Sequence, residues 1–172
     1  MSKEQSILID EYDNVIGYKD RDRLDASDRF RITGIWLENN NREVLIAQRA
    51  WSKRTHPGLW GPAAAGGVAK GESYEQAAYK ELSEEIGVTG VDLRPHKKSL
   101  INYPGNEPEL LCQWFIGILN SEISTLTLRE DEVAQARWVN KLWALDDVMT
   151  RPNLYTPSSR EWPKLFSDAN LV

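Results

Sequence analysis

One cysteine, Cys112, and two histidines, His56 and His96, are all that the 172 residues offer of the usual soft-metal ligands. No internal disulfide can form, and centres built on cysteine clusters, whether zinc or iron-sulfur, are excluded. No apolar run of 18 residues occurs, and residues 1–17 carry neither a long apolar segment nor a small-residue cleavage pattern. A cytoplasmic protein without a membrane segment is the expectation. A basic surplus is also missing. Lys and Arg number 21 against 26 Asp and Glu, a net charge of -5, which argues against a stable nucleic-acid partner, because such binding neutralises many phosphates. Repeats and low-complexity tracts are absent. Apolar residues make up 41%, enough for one substantial core in one domain spanning 1–172.

What is present is concentrated in residues 66–88, GGVAKGESYEQAAYKELSEEIGV. This reads as a glycine-rich turn, with Gly66 and Gly67 allowing close backbone approach, leading into a helix. Ser73 followed by Gln76 has capping-box spacing at the helix start, and Gly87 and Gly90 stop the pattern. Glu81, Glu84 and Glu85 stand at i, i+3 and i+4 and share one side of that helix. Unrelieved, their repulsion costs a few tenths of a kcal/mol per like pair, on the order of 0.2–0.5. A divalent cation relieves it, and hard oxygen ligands suit Mg2+ or Mn2+, which share their coordination with substrate phosphates.

The spacing Gly66, Glu72, Lys80-Glu81-Leu82, Glu84-Glu85, Gly87-Val88 resembles the 23-residue signature of the Nudix hydrolase family, departing only at Lys80, where the family usually carries arginine. Lysine keeps the charge but loses the planar fork. The resemblance implies an α+β fold, an alpha/beta/alpha sandwich with a mixed central sheet. It also implies that Glu81, Glu84 and Glu85, with the backbone carbonyl of Ala65, bind the metal, and that Glu72 is a supporting partner of Lys80. Glu84 and Glu85 are the candidate catalytic carboxylates. On a later loop Glu107, Glu109, Glu130 or Glu132 can supply the base, with Glu132 preferred.

The remaining chain reads as a hairpin over about 5–20, then a charged surface connection over 20–29. Strands follow at 30–37 and 44–47, then a loop through Pro57 and Pro62. Further strands are predicted at 93–101, 110–119 and 135–139, with loop or weak edge strand at 121–128. Helices are predicted at 142–149 and 158–166 within a C-terminal extension of about 142–172. Cys112, Trp36, Trp114 and Trp138 read as core. Trp51, Trp60 and Tyr103 are aromatic candidates for contacting the group beyond a diphosphate.

Over 7–138 the chain resembles the Nudix subgroup related to type I isopentenyl diphosphate isomerase. In those relatives residues corresponding to Arg49 and Lys53 hold the diphosphate. The isomerase cysteine, however, corresponds to Ala65 and a histidine ligand to Gly67, and no histidine lies near Phe30. Hydrolysis of a phosphoanhydride in a nucleoside diphosphate-linked or similar small-molecule substrate is therefore preferred over isomerisation. A non-catalytic diphosphate-binding protein is the third reading. Relatives include monomers and homodimers, and either state is compatible with the sequence.

Overall fold

The computed structural model describes residues 4–103, 105 and 107–168. Residues 1–3, Pro104, Asn106, and 169–172 of the predicted extension lie outside the described residues. The strands are β1 (Gln5–Ile9), β2 (Val15–Asp20), β3 (Arg29–Glu38), β4 (Glu43–Arg49), β5 (Trp60–Gly61), β6 (Ala64–Gly67), β7 (Arg94–Ile101), β8 (Glu109–Ile118) and β9 (Val133–Asn140). Among the described residues the α-helices are α1 (Tyr74–Ile86), α2 (Lys141–Thr150) and α3 (Trp162–Phe166).

β3 organises the sheet. Its ten residues pair in parallel with β8 from Arg29↔Glu109 to Glu38↔Ile118, while every other ladder is antiparallel. Both faces of β3 are covered, so it is apolar along most of its length. Phe30, Ile32 and Trp36 point into a core closed by α2 and α3, whereas Ile35 and Leu37 point into a second core closed by Ala78, Leu82 and Ile86 of α1. The period of two along a strand thus feeds two helical layers from one sheet, producing an alpha/beta/alpha sandwich with a mixed central sheet.

β3 and β4 pair only at Glu38↔Val44 and then diverge. β6 takes the vacated edge of β3 over Ile32↔Gly67 to Ile35↔Ala64, and β5 and β9 pair with β4. The sheet therefore opens into two halves.

Several expectations need correction. Gly66 and Gly67 lie in β6 rather than in a turn; of the first glycines only Gly71, with φ +89°, requires the left-handed region. The loop expected through Pro62 contains β5, whose two residues are too few to leave a periodic signal. Residues 121–128 form neither a strand nor a plain loop but include a 3-10 turn at Ile123–Thr125. The last helix is shorter than expected, with a 3-10 turn at Pro157–Glu161 leading into α3, where Pro163 is tolerated in the first turn.

Candidate active site

The helix carrying the acidic residues is fixed at both ends. Ser73 Oγ accepts from Gln76 N at 3.1 Å, and Gln76 Oε1 accepts from Ser73 N at 2.8 Å, completing the capping box. Gly87 closes the other end with φ +69°. α1 packs through Ala78, Leu82 and Ile86, which presents Glu81 and Glu85 to β6.

Glu85 is buried, with its Oε2 accepting from Ala65 N at 3.2 Å. Burial pushes its carboxyl up to about 8, with the neighbouring Glu81 adding to the effect. Glu81 is half-buried, and burial pushes it up to about 7. Neither forms an ion pair among the described residues. Gly66 is glycine for a steric reason: a Cβ there would stand 2.2 Å from Glu81 Cδ.

Glu84 behaves differently. It is half exposed on the outer side of the helix, with Oε2 3.8 Å from Arg129 Nη1. Among the described residues no three His, Cys, Asp or Glu side chains gather as a ready-made metal cage. The donor set nevertheless fits a hard divalent cation, since Glu81 and Glu85 crowd together without an ion pair of their own and offer carboxylate oxygens.

Of these carboxylates Glu85 lines a cavity of about 220 Å³ at the parting of β3 and β4. Glu85, Ala65 and Gly66 line it from one half of the sheet, and Gln48, Arg49 and Glu132 from the other. Arg49 is half-buried, and burial draws its guanidinium below its ordinary value against the opposing pull of Glu85 and Glu132. Arg49 Nε donates to Thr55 O at 3.1 Å. Arg21, Arg49 and Arg54 line the cavity and form no ion pair among the described residues. Unpaired guanidiniums at the mouth and unpaired carboxylates below suit a phosphate chain carrying a metal ion.

The side chains do not all follow the resemblance. Lys53 is not in the cavity wall; its Nζ lies 2.5 Å from Glu132 Oε2. Lys80 Nζ meets Glu72 Oε1 at 3.1 Å and also Glu4 Oε1 at 2.8 Å, while Glu72 Oε2 accepts from Ala69 N at 3.0 Å. Among the alternative bases, Glu107 lines the cavity, whereas Glu109 is paired with Arg29 at 2.5 Å. Trp51 is 72% exposed and lies against Gly58, and Trp60 stacks under Arg137 at 4.1 Å, so neither lines the cavity. Tyr103 does, with its ring 5.3 Å from that of His56. Cys112 is fully buried in the core.

Arg21 was hidden in the charged 20–29 stretch, where a solvated surface is the natural reading. A 3-10 turn at Arg21–Arg23 aims it at the site, where Nη1 lies 3.1 Å from the position a Cβ would take on Gly67. The available sequence signal was the second glycine of the pair at 66 and 67, which marks a close approach without naming what approaches.

Residues 28–159 match the NUDIX domain. An uncharacterised Nudix hydrolase of Pseudomonas aeruginosa is 33% identical, covering 94% of this chain and 92% of its own. Isopentenyl-diphosphate Delta-isomerase 2 of Photorhabdus laumondii is 30% identical over 87% of this chain and 85% of its own. Among solved structures, a protein of Deinococcus radiodurans superposes with a TM-score of 0.79 at 18% identity, covering 95% of this chain and 99% of that one. On the extent of the domain match and the identity to its relatives, the chain belongs to the Nudix family.

Proposed function

We propose that the protein is a divalent-metal-dependent hydrolase of a phosphoanhydride bond in a compact diphosphate substrate, with Glu81 and Glu85 as the principal metal ligands. Family membership makes it a Nudix hydrolase acting on diphosphate-containing molecules. The observation carrying the finer reading is the pair Glu81 and Glu85, drawn together beside Ala65 and Gly66 without an ion pair of their own and near arginines that form none either.

A bound Mg2+ or Mn2+ would supply polarisation of phosphoryl oxygens and acidification of a water. Glu81 and Glu85 orient the site from a helix that the capping box and Gly87 hold in place. Glu84, half exposed beside Arg129, would be the weaker candidate ligand for such an ion, and Ala65 contributes backbone at the cavity wall. Arg21, Arg49 and Arg54 neutralise phosphate oxygens, an electrostatic effect that assists reaction where it strengthens as charge develops. Glu132, held by Lys53 across the cavity from Glu85, is the candidate acceptor of the water's proton. Glu72 and Lys80 brace the entrance to α1.

The isomerase relatives supply the second reading. Isomerisation needs a proton donor and acceptor at carbon, and here Ala65 and Gly67 stand where the resemblance places the isomerase cysteine and histidine. Cys112 does not line the cavity, and its thiol is pushed up by complete burial. Hydrolysis is accordingly favoured, and silent binding has no lost ligand to recommend it.

The test is turnover of nucleoside, sugar and prenyl diphosphates with Mg2+ or Mn2+, read by product mass, for the wild type, Glu85→Gln and Glu81→Gln. Metal-dependent phosphate release lost by at least about 100-fold in either variant is expected, the scale for removing an electrostatic catalytic group. Isomer formation without hydrolysis, or full activity in Glu85→Gln, would overturn the proposal.

A further inference from the structure

The cavity does not end on the helix side of the sheet. Phe30, Ile32 and Leu110 line it from the opposite core, the one closed by α2 and α3. It therefore passes through the gap where β3 and β4 part. Its far wall is Thr156 and Ser158, beyond the acidic signature in sequence, with Thr156 Oγ1 3.5 Å from the position a Cβ on Gly61 would take.

Two features restrict what reaches that wall. The first is size. The 220 Å³ includes the carboxylate end, and the total falls below the roughly 300–1,000 Å³ common for sites that take drug-sized ligands. With the phosphates seated beside Glu85, the enclosed remainder suits a small group such as one ring. The second is polarity. Thr156 Oγ1 is 2.8 Å from Ser159 Oγ and 3.2 Å from Ser158 Oγ. Three hydroxyls carry three protons and these two contacts use two of them, leaving donor and acceptor capacity on a buried wall. An apolar chain placed there would leave that capacity unmet, whereas Phe30 and Leu110 opposite offer an apolar surface for C–H groups.

We infer that the group attached to the diphosphate is a single hydroxylated ring, a sugar, with its hydroxyls on Thr156 and Ser158 and a C–H face toward Phe30 and Leu110. Thr156 and Ser158 then determine specificity, and the C-terminal segment supplies recognition for chemistry performed on α1. This assignment rests on the diphosphate-hydrolase reading given above. A prenyl group leaves the hydroxyl wall unpaired.

The experiment compares kcat/KM for a pentose 1-diphosphate and for isopentenyl diphosphate in the full-length wild type, Thr156→Val and Ser158→Ala. The wild type is expected to favour the pentose compound by at least about ten-fold, and each variant to lower that ratio by about ten-fold, the order expected when a site built to bond a hydroxyl loses one partner. A variant that only folds poorly lowers both values and leaves the ratio intact, so the ratio reports recognition. Preference for isopentenyl diphosphate, or ratios unchanged within about two-fold in both variants, overturns the inference. If neither compound is hydrolysed with Mg2+ or Mn2+, the hydrolase reading is judged separately by the wider diphosphate turnover described above. Calorimetry with the same pentose diphosphate then decides the pocket: weaker binding by Thr156→Val supports it, and equal or absent binding overturns it.

Discussion

Lys53 Nζ stands 2.5 Å from Glu132 Oε2, although sequence places the lysine beside the arginine-rich loop and the glutamate 79 residues later. Backbone bonds bring them together, with Ala50 N donating to Glu132 O at 2.9 Å and Lys53 N to Ala50 O at 3.2 Å. The lysine's charge is committed to a cavity-lining carboxylate. Lys53→Met is therefore expected to lower kcat about ten-fold with KM nearly unchanged, and to add little in a Glu132→Gln background, since residues acting as a unit are not additive. Steady-state kinetics on the four proteins checks this. A raised KM with kcat preserved would return Lys53 to direct diphosphate binding.

Gly66→Ala tests the fit between β6 and α1. The added methyl would occupy the place of the Glu81 carboxyl, so the side chain must swing away. Displacement of about 1 Å at a catalytic group can cost on the order of 100-fold. We expect turnover to fall by that order while circular dichroism and oligomeric state match the wild type. Unimpaired turnover would remove Glu81 from the metal site.

Asp13 gives an acid-dependent prediction away from the metal. It sits at the tip of the β1–β2 hairpin and accepts from Lys98 Nζ at 2.5 Å, Arg31 Nε at 2.7 Å and Tyr74 Oη at 3.1 Å. Burial alone would raise its carboxyl, but the bonds from Lys98 and Arg31 overcome this and hold it below its ordinary value. A depressed carboxylate stabilises the fold above its unfolded pKa of ~3.9, and this contribution is lost as pH falls through the lower native value. Asp13→Asn should flatten part of the fall in unfolding free energy below pH ~4. Urea titrations stepped from pH 6 to pH 3 measure it; identical slopes in the two proteins would refute the assignment.

The sequence was most legible where local rules and the final fold agree. Ser73, Gln76 and Gly87 specify the ends of α1 through bonds made within a few residues, and bulky runs disclosed β3 and β8. Glu81, Glu84 and Glu85 were visible as a group, but a helix angle cannot reveal that β6 approaches two of them and Arg129 the third. β5 escaped because two residues leave no period and β6 because alanine and glycine carry little strand signal, their pairing being imposed by the parting of β3 and β4. Arg21 and Lys53 illustrate the same limit from opposite sides. One looked like surface and enters the cavity; the other looked like a phosphate ligand and is held by Glu132. Side-chain destinations set by long-range pairing leave no local pattern to read.

The single rung Glu38↔Val44 has a consequence for how such a protein can diversify. Beyond it, one half-sheet carries β6 and rests on α1, while the other carries Arg49 and Glu132 and borders the segment at 155–159. Replacements in that distal segment can accumulate without passing through the helix that bears the acidic residues. A graft of residues 155–159 from a relative would therefore alter one wall of the cavity and leave α1 with its acidic residues untouched.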